Sequence, residues 1–207
     1  MSVTAVVEHV GSPLGGEVVA RLEQLGAVVE PLGTWERHGT VDSYVHLGPW
    51  SEPPALSPLV ALDDDAFANA FERPFAELLW SLHAAYHHLR RPGGRVVVVV
   101  PTIGMAGAPG LAAYAAAAEA QRLMVKSAAR QWGAEGIVMN VVAADLTALA
   151  PGAVDLPSVS LSPPALGAAR VTDLAAIAKV VGDLAADGSS ALTGATLSAD
   201  GGIWMAP

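Results

Sequence analysis

Cysteine is absent from this chain of 207 residues, which excludes disulfides and thiolate metal centres and makes a cytoplasmic location the expectation. Positive charge is scarce as well: eleven Lys and Arg stand against twenty Asp and Glu, a formal net charge of −9. No basic cluster is present to neutralise phosphates, so nucleic acid is not an expected partner. Long apolar runs are missing too. The hydrophobic content of 52% comes from short Ala- and Val-rich stretches, none near the roughly 20 residues that a membrane span needs. The stretch MSVTAVVEHVG has no basic segment ahead of an apolar one, so no signal peptide is expected. A Gly-x-Ser-x-Gly elbow is absent, and with it local support for a Ser-His-Asp hydrolase.

What is present is alternation. Short β-branched runs alternate with longer Ala/Leu-rich stretches of helical period, which predicts a single α/β domain around a parallel sheet. Strands are expected at Val3–Val7, Ala27–Glu30, Val41–Leu47, Arg95–Val100, Ile137–Ala143 and Thr193–Ser198. Helices are expected over the segment with Val18, Val19, Leu22 and Leu25, then over Asp63–Arg90 with an interruption near Pro74, Leu111–Gly133 and Thr172–Asp187. The Pro/Ser/Leu-rich segment 147–167 has no clear period and reads as a loop over the sheet.

Three stretches carry a family resemblance. GGRVVVVVPTIGMAGAPGLAAY, GIVMNVVAAD and LTGATLSADGG resemble the fifth strand with its active-site tyrosine, the next strand, and the closing strand of short-chain dehydrogenases/reductases. VVEHVGSPLGG and VDSYVHLGP fit that family's cofactor turn and fourth strand more loosely. The resemblance runs over nearly the whole chain. It implies a Rossmann-like doubly wound fold of about six strands with helices on both faces. The chain is shorter than the family's usual length, and the deficit falls at 32–40, where an αβα unit that supplies part of the adenine pocket does not fit.

The resemblance also implies a chemistry, and its positions can be tested one by one. The family's three turn glycines, which let backbone N–H groups approach a pyrophosphate, fall on His9, Pro13 and Gly15; a shifted register uses Gly11, Gly15 and Gly16 instead. The family's Tyr is Tyr114, but the Lys four residues on is Ala118, and Lys126 lies too far along the helix. The substrate-polarising Ser falls on Pro101, with Thr102 one residue off; the relay Asn falls near Arg73; the Pro-Gly after the sixth strand reads Ala144-Asp145. A phenol without a cationic neighbour is a poor general base at neutral pH. On this reading NAD(P) binding is lost and no metal is bound. The chain is then a catalytically silent subunit and no enzyme on its own, pairing with an intact reductase. The alternatives are a cofactor-independent enzyme using the cleft with Tyr114, Thr102 and His46, or a divergent NAD(P)-dependent oxidoreductase. Haloalcohol dehalogenases are relatives that put Arg at the Lys position, which Ala118 is not.

Other features read more plainly. His83 and His87, at i and i+4 with His88 beside them, are a polar helix patch, since no cysteine or carboxylate shares the turn. Asp63-Asp64-Asp65 reads as an acidic helix start. The Ala run 112–120 suits close helix packing. With Leu78, Leu79, Leu82, Met124, Val125 and Trp132 it predicts a hetero-oligomer with an intact reductase, or a homodimer, through helices 63–90 and 111–133.

Overall fold

The computed structural model describes residues 3–31, 41–91, 93–156, 163–186 and 191–205. The expected replacement at 32–40 lies outside the described residues. β1 (Val3–Glu8) runs through a buried apolar stretch into a turn that starts α1 (Pro13–Gln24). Ser12 caps α1 by accepting the Gly15 N–H at 3.0 Å, and Pro13 sits in the first turn, where its missing N–H costs no intrahelical bond. α1 buries Leu14, Val18 and Leu22, and Gly26 ends it at φ +84°.

β2 (Ala27–Pro31) and β3 (Ser43–His46) follow, the latter shorter than the apolar run that announced it. Asp63 caps α2 (Asp64–Phe67) by accepting the Ala66 N–H, as the acidic triplet predicts. The interruption near Pro74 is a π-helical turn, Ala68–Glu72, leading into α3 (Arg73–Leu89). Proline lacks the N–H for a regular turn and crowds the carbonyl four residues back, and a widened turn relieves both. The buried Gln121 amide takes the Pro74 carbonyl at 2.7 Å.

β4 (Gly94–Pro101), the short α4 (Ile103–Ala106) and α5 (Ala112–Trp132) form the next unit. β5 (Ile137–Ala144), α6 (Leu146–Leu149), α7 (Ala168–Val171), α8 (Leu174–Ala186) and β6 (Thr196–Ser198) complete the order. Within 147–167, α6 and a 3₁₀ turn at Pro151–Asp155 replace part of the expected loop.

All six strands are parallel, in the order β2-β1-β3-β4-β5-β6. α1 and α8 pack together on one face, and α3 and α5 cover the other. Covered on both sides, Val96–Val100 is fully buried, as a central parallel strand should be. The strand order reverses between β1 and β3, where such sheets open a crevice at their carboxyl ends. Among the described residues no helix is long and apolar enough to cross a membrane.

The predicted assembly contacts divide. Leu78, Leu82 and Val125 belong to the core, and Met124 packs partly against it, so these do not form an outer stripe. Leu79, Trp80 and Leu123 are the exposed apolar side chains of α3 and α5. Part of the Ala run is spent inside: a methyl on Gly104 of α4 would lie 2.7 Å from Ala118 Cβ, so α4 rests directly on α5.

Candidate functional site

Two groups of side chains meet at the carboxyl rim of the sheet. The first is polar and gathers at the switch point. Glu8 ends β1, and its register partner on β3 is His46. Tyr44 lies two residues earlier and therefore on the same face of the strand. The Glu8 carboxylate accepts from the Tyr44 hydroxyl, from His46 Nδ1 and, at 2.9 Å, from Ser81 of α3. Glu8, Tyr44, His46 and Ser81 are all buried. Burial alone would raise the Glu8 carboxyl, but the His46 ring and the two hydroxyls together hold it below the ordinary carboxylate range.

One turn before Ser81, Glu77 reaches His9, whose Nε2 contacts the Glu77 carboxylate. That carboxylate raises the His9 pKa against the opposing effect of burial. His9 has φ +58° and is the described residue outside glycine with a positive φ. It holds this conformation where the family has a glycine.

The second group is apolar with hydroxyls embedded in it. Tyr114 is 7% exposed, and its hydroxyl is covered and has no hydrogen-bond partner among the described residues. Burial pushes that phenol far above its ordinary pKa, so it is a neutral donor and not a base. Thr102 is fully buried; its N–H donates to the Ala144 carbonyl at 2.8 Å, and its hydroxyl is likewise without a partner. Ala118 is buried and packs against Gly104 of α4, where a methyl would lie 2.7 Å from its Cβ.

Trp50, which sequence reasoning did not single out, fills the space between these elements. Its indole N–H donates to the Val99 carbonyl at 3.0 Å, and its ring meets Tyr114 edge-on at 5.0 Å. Gly48, at φ +70°, lies under the indole: a methyl there would stand 2.1 Å from Trp50 Nε1. The signal was a bulky aromatic two residues past a strand-end glycine.

The predicted candidates are thus separated. His46 belongs to the polar group, while Tyr114 and Thr102 belong to the apolar one. At the β1–α1 turn, Gly15 is required by packing, since a methyl there would lie 2.5 Å from the His9 carbonyl. Gly11 and Gly16 face open space. His83 and His87 are exposed and stack edge-on at 5.0 Å along α3.

A cavity of about 640 Å³ adjoins both groups, walled by Pro53, Asn69, Arg73, Glu77, Leu111 and Tyr114 among others. The groove between Ser12, Leu47, Gly48, Trp50 and Leu149 keeps only about 10 Å³. Asp145 does not confront that groove as a free charge. It is 5% exposed and caps α6, accepting the N–H and hydroxyl of Thr147.

A family model described as Enoyl-(Acyl carrier protein) reductase matches residues 2–204. Diacetyl reductase ((S)-acetoin forming) of Staphylococcus aureus is 27% identical over 168 residues, 71% of this chain and 62% of that enzyme. The 3-oxoacyl-(acyl-carrier-protein) reductase of Pseudomonas aeruginosa is 33% identical over 120 residues, 54% of this chain and 46% of that enzyme. The chain therefore spans about three fifths or less of the length of these relatives. Among solved structures, one titled a dehalogenation enzyme superposes at TM-score 0.84 with 19% identity, covering 98% of both chains. A short-chain dehydrogenase/reductase family oxidoreductase from Burkholderia thailandensis superposes at 0.80 with 20% identity, covering 98% of this chain and 93% of that one. At such identities these two establish the fold alone.

The sequence comparisons overturn two expectations, the catalytically silent subunit and the lost NAD(P) cofactor. A reductase family model matches nearly the whole chain, and the named relatives are reductases. The structure shows why the altered positions misled. Pro13 occupies a helix position that needs no N–H, Asp145 spends its carboxylate on a cap, and Gly15 keeps the close approach of turn and strand. The chain belongs to the short-chain dehydrogenase/reductase family.

Proposed function

We propose that this chain is a divergent NAD(P)-dependent oxidoreductase acting on a small carbonyl or hydroxyl compound bound in the cavity beside Tyr114. The observation that carries the reading is the meeting of that cavity with the side chain at the family's proton-donor position. The family model and the reductase names of its relatives support it. A neutral buried phenol suits hydrogen-bond donation to a carbonyl oxygen, and the mostly apolar walls favour a compact, weakly polar substrate.

The residues present fit a nicotinamide dinucleotide in part. Gly11 and Gly16 leave the amino end of α1 open to an anion, with Gly15 holding the turn. On the β4 side the Trp50 indole packs edge-on against Tyr114, and Gly104 of α4 packs against Ala118.

The test is oxidation of NADH or NADPH by the purified chain with diacetyl and with a 3-oxoacyl thioester, beside fluorescence titration of each nucleotide in EDTA. Turnover with one substrate class that falls at least a hundredfold in Tyr114→Phe is the expected result. Absence of both turnover and binding up to millimolar nucleotide overturns the reading.

A second copy is proposed to cover Leu79, Trp80 and Leu123 on α3 and α5, because a two-fold pairing buries both helices by the same surface. Light scattering should then give a dimer for the wild type and a monomer for Leu79→Glu with Leu123→Glu. A monomeric wild type refutes it.

A further inference from the structure

We propose that Glu8, His9 and Glu77 form a binding site for a divalent first-row transition ion of the zinc type. Their ligand atoms, two carboxylate oxygens and one imidazole nitrogen, lie within 4.8 Å of one another. Around an ion that each donor contacts at about 2.0–2.2 Å, tetrahedral geometry sets neighbouring donors roughly 3–3.5 Å apart, so the donors need to draw together by about 1–2 Å at most. The ligand set selects the ion class. An imidazole suits zinc-type ions, whereas calcium and magnesium prefer oxygen throughout.

The cluster is built like a metal site beyond its ligands. Glu8 is 5% exposed and already oriented by Tyr44, His46 and Ser81, the kind of outer hydrogen bonding that fixes ligating carboxylates. A second observation concerns a residue outside the three ligands. His46 is 0% exposed, and its Nε2 has no hydrogen-bond partner among the described residues. Its ring meets the His9 ring edge-on, with centroids 6.0 Å apart. The ring that touches Glu8 through Nδ1 thus carries a second, buried nitrogen without a partner at the edge of the cluster, and burying an unpaired polar atom is costly. His9 and Glu77 remain about one-third exposed, and Glu77 also borders the cavity, so an ion has a way in.

The test uses Zn²⁺ alone as probe on the EDTA-treated, dialysed chain, with titration calorimetry for affinity and elemental analysis for stoichiometry. Asparagine tolerates the left-handed backbone of position 9, so His9→Asn should keep the turn, and Glu77→Gln changes a partly exposed helix residue. Thermal unfolding monitors the fold of each, and Co²⁺ absorption spectra report the ligand set directly. The expected result is one Zn²⁺ per chain at micromolar affinity, weakened at least tenfold in each variant and unchanged in His83→Ala with His87→Ala. Three outcomes overturn the proposal: no saturable binding, binding that survives in both His9→Asn and Glu77→Gln, or binding that disappears with His83 and His87. No nucleotide or substrate enters the measurement, so its outcome is separate from that of the oxidoreductase reading.

Discussion

The two halves of the carboxyl rim have exchanged characters relative to what the family resemblance leads one to expect. On the β4 side, where the family keeps Ser, Tyr and Lys, this chain has Pro101 with Thr102 beside it, Tyr114 against Trp50 and Ala118 against Gly104, with the Thr102 and Tyr114 hydroxyls unpartnered among the described residues. On the β1–β3 side, where the resemblance puts turn glycines, it has Glu8, His9 and His46 joined to Tyr44, Glu77 and Ser81. The difference teaches that altered motif positions do not measure lost chemistry. Polar groups that can hold protons and ligands have been removed from one end of the crevice and concentrated at the other.

The largest effect expected from this contrast is at Glu8. Glu8→Ala removes the carboxylate that Tyr44, His46 and Ser81 share, and with it three buried hydrogen bonds. Breaking such a buried arrangement costs about 3–5 kcal/mol. Urea denaturation should show a loss of that size; a loss under about 1 kcal/mol would mean that the polar half is not held together as a unit.

Restoring the family's lysine gives the next largest effect. Ala118→Lys places a long cationic side chain at a position 1% exposed and in direct contact with Gly104. Overpacking together with an unpaired buried charge should cost about 3 kcal/mol, again by urea denaturation. A variant as stable as the wild type would show that α4 yields readily, and that the apolar half keeps room for the family's arrangement.

Much of this was legible in the sequence and some was not, for physical reasons. Val96–Val100 announced a central strand because burial on both faces demands an unbroken apolar run, and the Asp63 cap followed from local hydrogen bonding. Tyr114 was placed by the resemblance of GGRVVVVVPTIGMAGAPGLAAY to the family's fifth strand running to its tyrosine. The polar cluster was only glimpsed at His46. Glu8 and His46 are 38 residues apart and become partners only through the β1–β3 register, and Glu77 with Ser81 reads as an ordinary i, i+4 pair until α3 is docked on the sheet. Pro13 and Asp145 were misread because their roles are set by position within a turn. Residue type alone suggested interference with a phosphate.

Tyr114→Phe sharpens the contrast by separating stability from activity. The hydroxyl has no partner to lose among the described residues, so its removal should change stability by less than about 1 kcal/mol, toward the stable side. Activity in the nucleotide assay should nevertheless fall at least a hundredfold if the phenol serves the substrate oxygen. Equal activity in both proteins would leave the apolar half as packing alone.

The smallest effect lies away from both halves, at Asp183 on α8, and it sets the scale against which the rim should be judged. Arg21 of α1 and then Lys179 hold the Asp183 carboxyl below its ordinary value. A carboxyl whose folded pKa is depressed contributes stability that is fully present above its unfolded value of about 4 and is lost as pH falls through the lower folded value. The Asp183 side chain is 41% exposed, so solvent and salt screen most of that contribution, leaving a few tenths of a kcal/mol. Arg21→Ala should therefore lower stability slightly at pH 7, and the gap to wild type should close as the pH falls below about 4. High salt at pH 7 should shrink the same gap. A gap that stays constant with pH and salt would mean that Arg21 acts by packing its stem against Gly182, where a methyl would lie 2.6 Å from Arg21 Cγ. The helix pair α1–α8 would then be held by shape and not by charge.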